Sequence, residues 1–315
     1  MSTPFLSVVV AVVDGDAALR RCLTALRTQV AAPSMEILVP LDLSVAAVEA
    51  LAAAGDAGHG PIVRCLPMGR LETQHAPSSP LGQHELIDRR RSAGLDAARG
   101  EIIAMVEDRA VPRSDWAATL LRLHRELPTL VIGGAIENGR EALLNWAVYY
   151  CDFGRYQTPF EAGPRRHVSD VNVSYKRQAL EMTRAIWQVR YHEPHVHGAL
   201  ARAGEVPFAS PDLVVEECRD NLTLGAVLRE RFWWGRLFSS MRVSETSAVE
   251  RVLLAGVSPF VPAVLFSRFL RDRVKKKTPV LQLFRVSPAV ALLLSCWAAG
   301  EAVGYLLPPG WGQPR

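Results

Sequence analysis

The segment GEIIAMVEDRAVPRSDW, residues 100–116, predicts a strand that ends in acidic side chains. Its apolar run, IIAMV at 102–106, is followed at once by Glu107, Asp108 and Arg109. A short, continuously apolar run of this kind is typical of a strand that is buried on both faces. The acidic end leaves three interpretations open, namely a metal site, an altered metal site or a surface turn.

Strand-like and helical patterns alternate on either side of this segment. After the first strand, Leu19, Cys22 and Leu26 recur at the spacing of one helix face. This alternation predicts an α/β fold, in which a largely parallel sheet carries helices on both faces. The predicted strands are 5–13, 35–41, 62–66, 101–106, 129–136 and 206–215, and the predicted helices are 16–29, 45–54, 85–98, 113–126 and 224–242.

Acidic residues follow three of the predicted strands. Asp14, Asp42 and the pair Glu107–Asp108 each stand at a strand end. Ligands of parallel sheets bind beyond the carboxyl ends of the strands, so these acids together predict a functional edge. The sequence lacks the glycine-rich fingerprints of dinucleotide-binding and P-loop proteins, which disfavours dehydrogenases and P-loop enzymes.

The charge distribution argues against a nucleic-acid-binding protein. The formal net charge is +4, but seven basic residues and one acid in 268–285 contribute +6, which leaves about −2 for the rest. The five cysteines are scattered without a C-x-x-C motif, which favours a reducing compartment over a disulfide framework. The N-terminus has no basic region before its apolar run, so we expect a first strand there rather than a signal peptide.

Five segments of the chain, between roughly residues 5 and 240, resemble the family 2 glycosyltransferases. In order, they are SVVVAVVDGDAALRRCLTALRTQ, MEILVPLDLS, RRRSAGLDAARGEIIAMVEDRAVPRSDW, SDVNVSYKRQAL and HEPHVHGALARAG. The third segment is the most specific. It combines a helix of small residues, an apolar strand, the position of the acidic triplet and a final P-x-x-x-W motif. The resemblance implies a GT-A fold, a nucleoside-diphosphate sugar donor, an acceptor hydroxyl and an inverting transfer.

The resemblance implies donor-binding roles for residues at the strand ends. Asp14 and Asp42 would hold the base and ribose, although Leu41 replaces one acid of the pair usual at the second position. Arg91 matches an arginine that precedes the fourth strand, where a guanidinium would pair with a donor phosphate. In the alternative, Arg91 is simply a solvated member of the basic run 89–91.

Glu107, Asp108 and Arg109 fall on the D-x-D position of the family. Carboxylates there usually hold a divalent cation that neutralises the charge growing on the leaving diphosphate. The resemblance therefore implies Mn²⁺ or Mg²⁺ on Glu107 and Asp108, although Arg109 replaces the acid that normally binds the cation directly. In the alternative, Arg109 itself supplies the positive charge.

The last segment corresponds to the catalytic base of the family. Glu193 takes the first place of an E-D pair and is the candidate base, whereas Pro194 takes the second place, which is the base in many relatives. His192 is the next candidate for the base, and His195 and His197 stand nearby. Their spacing is not specific for zinc, so we expect a histidine cluster rather than a metal site.

The acceptor side is implied by two further segments. Asp170 and Asn172 match the segment that would line the acceptor sugar. Arg231 and Arg236 lie on the predicted helix 224–242, which would bring arginines near the donor or the acceptor. In the alternative, this aromatic helix packs in the core or faces a membrane.

Two apolar segments near the C-terminus predict membrane association. Residues 286–307 are long enough to span the roughly 30 Å hydrocarbon core of a bilayer. Residues 252–267 carry two prolines and are expected to lie at the interface or to re-enter it, while the basic stretch 268–285 is expected at the cytoplasmic face. We therefore expect a glycosyltransferase domain at 1–243 and membrane-associated helices at 244–315, with burial of both segments inside a soluble protein as the alternative.

Together these features predict a membrane-associated glycosyltransferase whose catalytic domain is cytoplasmic and whose acceptor is a hydroxyl, for example of a lipid-linked or envelope glycan. A nucleic-acid partner is not expected. Two other classes stay open. Leu41, Arg109 and Pro194 favour a non-catalytic binding protein with the same fold. A nucleotidyltransferase would also use acidic strand ends, but AVVDGDAA (11–18) matches its phosphate loop poorly.

Overall fold

The chain folds into two compact units, and the computed structural model describes residues 4–45, 60–243 and 246–307. Two segments of the second unit precede the predicted domain boundary at residue 243, and its third segment begins before that boundary. The predicted helix at 45–54 lies, after its first residue, outside the described residues. The first unit comprises residues 1–72, 85–139 and 156–218, and the second comprises 73–84, 140–155 and 219–315.

The first unit is built on one mixed sheet. Among the described residues, its strands are β1 (Leu6–Ala11), β2 (Met35–Asp42), β3 (Ile62–Gly69), β4 (Ile102–Glu107), β5 (Ala110–Pro112), β6 (Val131–Asn138), β7 (Gly163–Pro164), β8 (Asn172–Lys176) and β9 (Phe208–Glu217). Their order is β3-β2-β1-β4-β8-β6-β9-β5, and β7 pairs with β9. The first four strands in this order run parallel. Because β8 is antiparallel to both β4 and β6, the sheet is less uniformly parallel than the sequence predicts.

The alternation of strands and helices is confirmed by the helices that flank the sheet. In α1, the apolar positions at helical spacing are buried, as predicted. The helices are α1 (Asp16–Arg27), α2 (Pro80–Ala97), α3 (Trp116–Glu126), α4 (Leu143–Asp152), α5 (Arg177–Met182), α6 (Arg184–Trp187), α7 (Glu193–Arg202), α8 (Leu224–Val243), α9 (Ala248–Val257), α10 (Val261–Lys275) and α11 (Val280–Leu306).

The strand register brings the predicted functional edge together. Every residue of β1 is buried, as expected of a β-branched run in the centre of a sheet. Its last residue, Ala11, pairs with Glu107 at the end of β4, and β2 lies on the other side of β1. The acids predicted at the three strand ends therefore follow three neighbouring parallel strands.

Helices α4 and α8 to α11 belong to the second unit. Residues Ala248–Lys275 and Val280–Leu306 form two helical stretches that are long and apolar enough to cross a bilayer, judged by length and composition. The predicted anchor at 286–307 falls within the second stretch. Core helices of soluble proteins meet the same criteria, so these stretches alone do not establish a membrane span.

The two prolines of the predicted interfacial segment do not interrupt helical structure. A 3₁₀ turn at Ser258–Phe260 joins α9 to α10. Pro259 stands at the start of this turn and Pro262 at the start of α10. A proline is tolerated at these positions because the missing N–H would have no partner inside the helix.

Helices α8 and α11 approach each other closely at glycines. A Cβ atom added to Gly300 of α11 would lie 1.9 Å from the carbonyl oxygen of Phe232 in α8. A Cβ atom added to Gly235 would lie 2.0 Å from the carbonyl oxygen of Trp297. The backbones can come this close only because small residues stand at the crossing.

We expect Gly300→Ala to destabilise the second unit, because the added methyl group forces α8 and α11 apart. Overpacking of this kind costs about 1–3 kcal/mol of unfolding free energy. The matched control is Gly256→Ala in α9, where no described atom lies within 4 Å of the added Cβ. There the better helix propensity of alanine should stabilise by up to about 1 kcal/mol. Thermal unfolding of both variants tests the contact, and equal melting temperatures would contradict it.

Candidate functional site

The carboxylate of Asp108 holds the loop between β1 and α1. Its Oδ1 accepts a hydrogen bond from the Val13 amide at 3.0 Å, and its Oδ2 accepts from Asp14 at 3.1 Å and Gly15 at 2.7 Å. The side chain is fully buried. Burial raises the pKa of Asp108 to about 6, although the Gly15 amide opposes this shift. Asp108 thereby fixes the backbone that carries Asp14.

Arg91 joins three acidic side chains. Its Nη2 donates to Oε1 of Glu107 at 2.6 Å, and its Nη1 lies 2.9 Å from Asp170 and 3.2 Å from Asp88. The side chain is buried, so the alternative of a solvated arginine is wrong. Burial also raises the pKa of Glu107 to about 7, and the charge of Arg91 opposes that rise.

Arg109 and Asp14 form a forked ion pair. The Nε of Arg109 donates to Oδ2 of Asp14 at 2.9 Å, and its Nη2 donates to Oδ1 at 2.6 Å. Burial alone would lower the pKa of Arg109, but the hydrogen bond and charge of Asp14 raise it. The two side chains are 17% and 33% exposed, so the pair can be reached from solvent. A ligand at this position therefore meets a neutralised pair rather than an isolated carboxylate.

Asp42 is paired with a buried arginine that the sequence analysis did not single out. The Nε of Arg90 donates to Oδ2 of Asp42 at 2.7 Å, and its Nη1 donates to the Val12 carbonyl at 2.5 Å. The amide of Ser44 donates to the other Asp42 oxygen at 2.7 Å. Burial would raise the pKa of Asp42, but the bonds to Ser44 and Arg90 lower it overall. Arg90 thus ties the end of β1 to the end of β2.

A sequence signal for Arg90 exists in the helix periodicity. Arg90 stands four residues after Leu86 and four residues before Gly94, so all three share one face of α2. Leu86 is buried, and a Cβ atom on Gly94 would lie 2.2 Å from a methyl carbon of Val9. The helix face that carries Arg90 therefore packs on β1. The three consecutive arginines at 89–91 suggest a solvent-exposed face instead, so this packing is easily missed in the sequence.

The arrangement at the strand end does not fit a divalent cation held by Glu107 and Asp108. A cation there needs carboxylate oxygens that are open to it. Both oxygens of Asp108 accept backbone hydrogen bonds, and Glu107 is ion-paired with Arg91. Arg109, in the place of the usual direct ligand, offers only donors. The predicted Mn²⁺ or Mg²⁺ would require these bonds to be broken first.

Glu193 begins α7 beside a buried chain of polar side chains. Oε1 of Glu193 lies 3.3 Å from Nδ1 of His197, one turn later on the helix. Nε2 of His197 lies 2.9 Å from the hydroxyl of Tyr175, which lies 2.6 Å from the hydroxyl of Tyr191. Burial raises the pKa of Tyr191, and the charges of Glu193 and Asp170 add to the shift. The sequence analysis identified neither tyrosine.

Asn172 holds the sheet and does not line a ligand site in this structure. Its Nδ2 donates to the carbonyls of Ala135 and Leu213, both at 2.9 Å, and its Oδ1 accepts from the Trp116 indole at 3.0 Å. The residue is fully buried. All its polar atoms are thus used inside the protein, which argues against the predicted contact with an acceptor sugar.

The two predicted arginines of α8 belong to the second unit. Both Nη atoms of Arg231 donate to Asp152 at 2.5 Å, and the residue is buried. The guanidinium of Arg236 lies 5.2 Å from the ring centroid of Trp233, within the range of a cation–π contact. Their role at an acceptor stays a prediction. Arg231 is more simply explained by its structural pairing.

Comparison with known proteins identifies the fold but not the family. No protein-family model matches the chain, and no curated protein matches it. Among solved structures, the mannosyltransferase PcManGT from Pyrobaculum calidifontis, in complex with GDP-Man and Mn²⁺, is similar over 97% of this chain and 75% of its own, with a TM-score of 0.50 and 14% identity. TarS from S. aureus is similar over 95% of this chain and 55% of its own, with a TM-score of 0.50 and 12% identity. The fold is a glycosyltransferase fold.

We expect Arg90→Met to destabilise the first unit, because it leaves the buried carboxylate of Asp42 without its cation. Breaking one side of a buried ion pair costs about 3–5 kcal/mol. Arg89→Met, on the partly exposed side of the same helix, is the matched control and should change stability by less than about 0.5 kcal/mol. Urea denaturation measures both.

The double variant Arg90→Met/Asp42→Asn separates the ion pair from the packing of the arginine stem. It removes the unpaired charge, so most of the lost stability should return. If the double variant is as unstable as Arg90→Met alone, Arg90 acts through packing and not through Asp42.

Proposed function

We propose that the chain is an inverting glycosyltransferase of family 2, which transfers a sugar from a nucleoside-diphosphate donor to an acceptor hydroxyl. The observation that carries the proposal is the set of charged side chains at the ends of β1, β2 and β4. This edge occurs in a fold similar to that of a mannosyltransferase solved with GDP-Man and Mn²⁺. The edge is also where ligands of parallel sheets bind.

On the donor side, Arg109 and Arg91 are the proposed contacts to the diphosphate. Guanidinium groups bind phosphate oxygens in forked geometry, and their charge would stabilise the leaving diphosphate. Arg109 is held in position by Asp14, and Arg91 by Glu107 and Asp170. A donor phosphate would replace Asp14 on Arg109. Asp14, once released, would orient the base or the ribose, and Asp42 would do so while it stays paired with Arg90.

On the acceptor side, Glu193 is the proposed general base. Its carboxylate would take the proton of the acceptor hydroxyl as that oxygen attacks the anomeric carbon. Attack from the face opposite the leaving diphosphate inverts the configuration. Asp170, which is held by Arg91 at 2.9 Å, would orient the acceptor.

The first test measures donor binding by calorimetry of the full-length protein with UDP, GDP and dTDP, each with Mn²⁺ and with EDTA. We expect binding to one nucleotide to survive EDTA, because Arg109 and Arg91 supply the positive charge. Arg109→Gln should weaken it strongly. The matched control is Arg122→Gln, an arginine with 47% side-chain exposure that also pairs with an aspartate, which should bind as wild type does. Binding that disappears in EDTA would contradict the proposed arginine contacts and favour a metal at the strand end.

A measurement of turnover distinguishes an enzyme from a protein that only binds the donor. With the sugar donor of the nucleotide that binds, Glu193→Gln should lower kcat by about 10²–10⁴-fold without changing donor affinity. The rival function is a non-catalytic nucleotide-sugar or glycan binding protein. It is favoured by the internal pairing of Asp14 and Asp42 and by Pro194. Donor binding without turnover against a panel of hydroxyl acceptors would favour this rival.

We further propose that the C-terminal helices attach the protein to the cytoplasmic membrane face, so that a lipid-linked or envelope glycan acceptor is within reach. Apolar side chains such as Leu253, Phe260 and Phe284 are exposed on α9 to α11. Two cations of the basic stretch are turned towards the protein, which limits their contact with lipid headgroups. The buried Arg273 and the partly exposed Lys276 both bond the Gly154 carbonyl.

We expect the protein to sediment with membranes and to resist extraction by alkaline carbonate if α11 is inserted. Replacing the exposed Arg268, Arg271 and Lys275 with glutamine should weaken binding to anionic vesicles, at about 1 kcal/mol for each charge near the surface. Protease protection in sealed vesicles reports the side on which the first unit lies. Release into the soluble fraction by carbonate would contradict insertion.

A further inference from the structure

Three side chains of the first unit, one of them the proposed base Glu193, converge on one point. Ligand atoms of His167, Glu193 and His197 all lie within 4.8 Å of one another. His197 is buried, Glu193 is half-buried and His167 is exposed, so the group opens towards solvent on one side. His167 stands in the loop before β8, far from the other two in sequence. The histidine run at 192–197 therefore does not reveal the group.

The atoms of Glu193 and His197 are spaced as two ligands of one metal ion. They stand at i and i+4 on α7, and their Oε1 and Nδ1 atoms are 3.3 Å apart. Two ligands of a tetrahedral ion with bonds near 2.1 Å are separated by about 3.4 Å. Among the described residues, this Nδ1 atom has no hydrogen-bond partner of good geometry, and its approach to Oε1 is an ion pair only when the imidazole is protonated.

The second nitrogen of His197 is arranged as in metal-bound histidines. It lies 2.9 Å from the Tyr175 hydroxyl, which continues to Tyr191. A metal-bound imidazole usually donates its other N–H to such a partner, which fixes the tautomer and the ring plane. When Nε2 donates to Tyr175, the lone pair of Nδ1 points towards Glu193. In that tautomer a metal ion between the lone pair and the carboxylate removes their repulsion, which in the other tautomer a proton on Nδ1 does.

From this geometry we propose that His167, Glu193 and His197 bind a divalent transition-metal ion of the zinc class. Two neutral imidazoles and one carboxylate suit Zn²⁺ or Co²⁺, whereas Mg²⁺ and Ca²⁺ prefer oxygen ligands. The site is distinct from the strand-end position, where the carboxylates are already bonded. It does not depend on the proposed transfer. An ion bound to Glu193 would, however, occupy the carboxylate proposed as the base.

The test uses the purified full-length protein, stripped with a chelator and titrated with Co²⁺ alone, without nucleotide. We expect one ion per chain with a visible absorption band, and displacement of Co²⁺ by Zn²⁺ but not by Mg²⁺. His167→Ala changes an exposed residue and should abolish the band. Tyr175→Phe, which removes only the hydroxyl, should weaken binding about 10–100-fold.

Two control variants locate the ion. His195 lies on the same helix but outside the group, where its ring makes a tilted contact with His192 at 4.4 Å between centroids, so His195→Ala should leave binding unchanged. Glu107→Gln should also leave binding unchanged. Binding that persists in His167→Ala, or that is lost in Glu107→Gln, would overturn the proposal, as would the absence of a band in the wild-type protein. Because no nucleotide is present, these outcomes are separate from failure of the proposed transferase.

Discussion

Two adjacent buried arginines of α2 hold the functional edge together. Arg90 reaches Asp42 at the end of β2, and Arg91 reaches Glu107 at the end of β4 and Asp170 before β8. Neighbouring residues of a helix point about 100° apart, so one turn of α2 can serve two parts of the edge. The desolvation of each guanidinium is offset only because carboxylates surround it. The edge and the helix therefore depend on each other.

The result is an edge whose carboxylates are all bonded inside the protein. Arginines pair with Asp14, Asp42 and Glu107, while backbone amides bind Asp108. Negative charge still exceeds positive charge here, because several carboxylates share Arg91 and Asp108 has only neutral amide partners, but the carboxylate oxygens that a cation would need are already bonded. An anion can instead bind by exchange. Its oxygens then pair with an arginine in place of the protein carboxylate that was paired with it before. In the proposed reaction, this exchange would couple donor binding to the release of Asp14.

The position of this edge can be predicted from the sequence, because each apolar run that forms one of its strands is followed closely by an acidic residue. The partner of each charge does not follow, since it depends on strand order. Arg109 and Asp14 are 95 positions apart, and they meet only because β1 and β4 are neighbours. Similarly, Asn172 reads as an acceptor contact in the sequence, yet pairing of β8 with β4 and β6 puts it inside the sheet.

The close crossing of α8 and α11 determines where the chain can be truncated without exposing buried surface. The carbonyl groups of Phe232 and Trp297 face glycines on the opposite helix, so each helix covers backbone of the other. A fragment that ends at residue 243 would keep α8 but uncover this groove. Such a fragment would present an apolar surface to water and tend to self-associate, even though the removed residues resemble a dispensable anchor. The last helix is thus an integral part of the second unit.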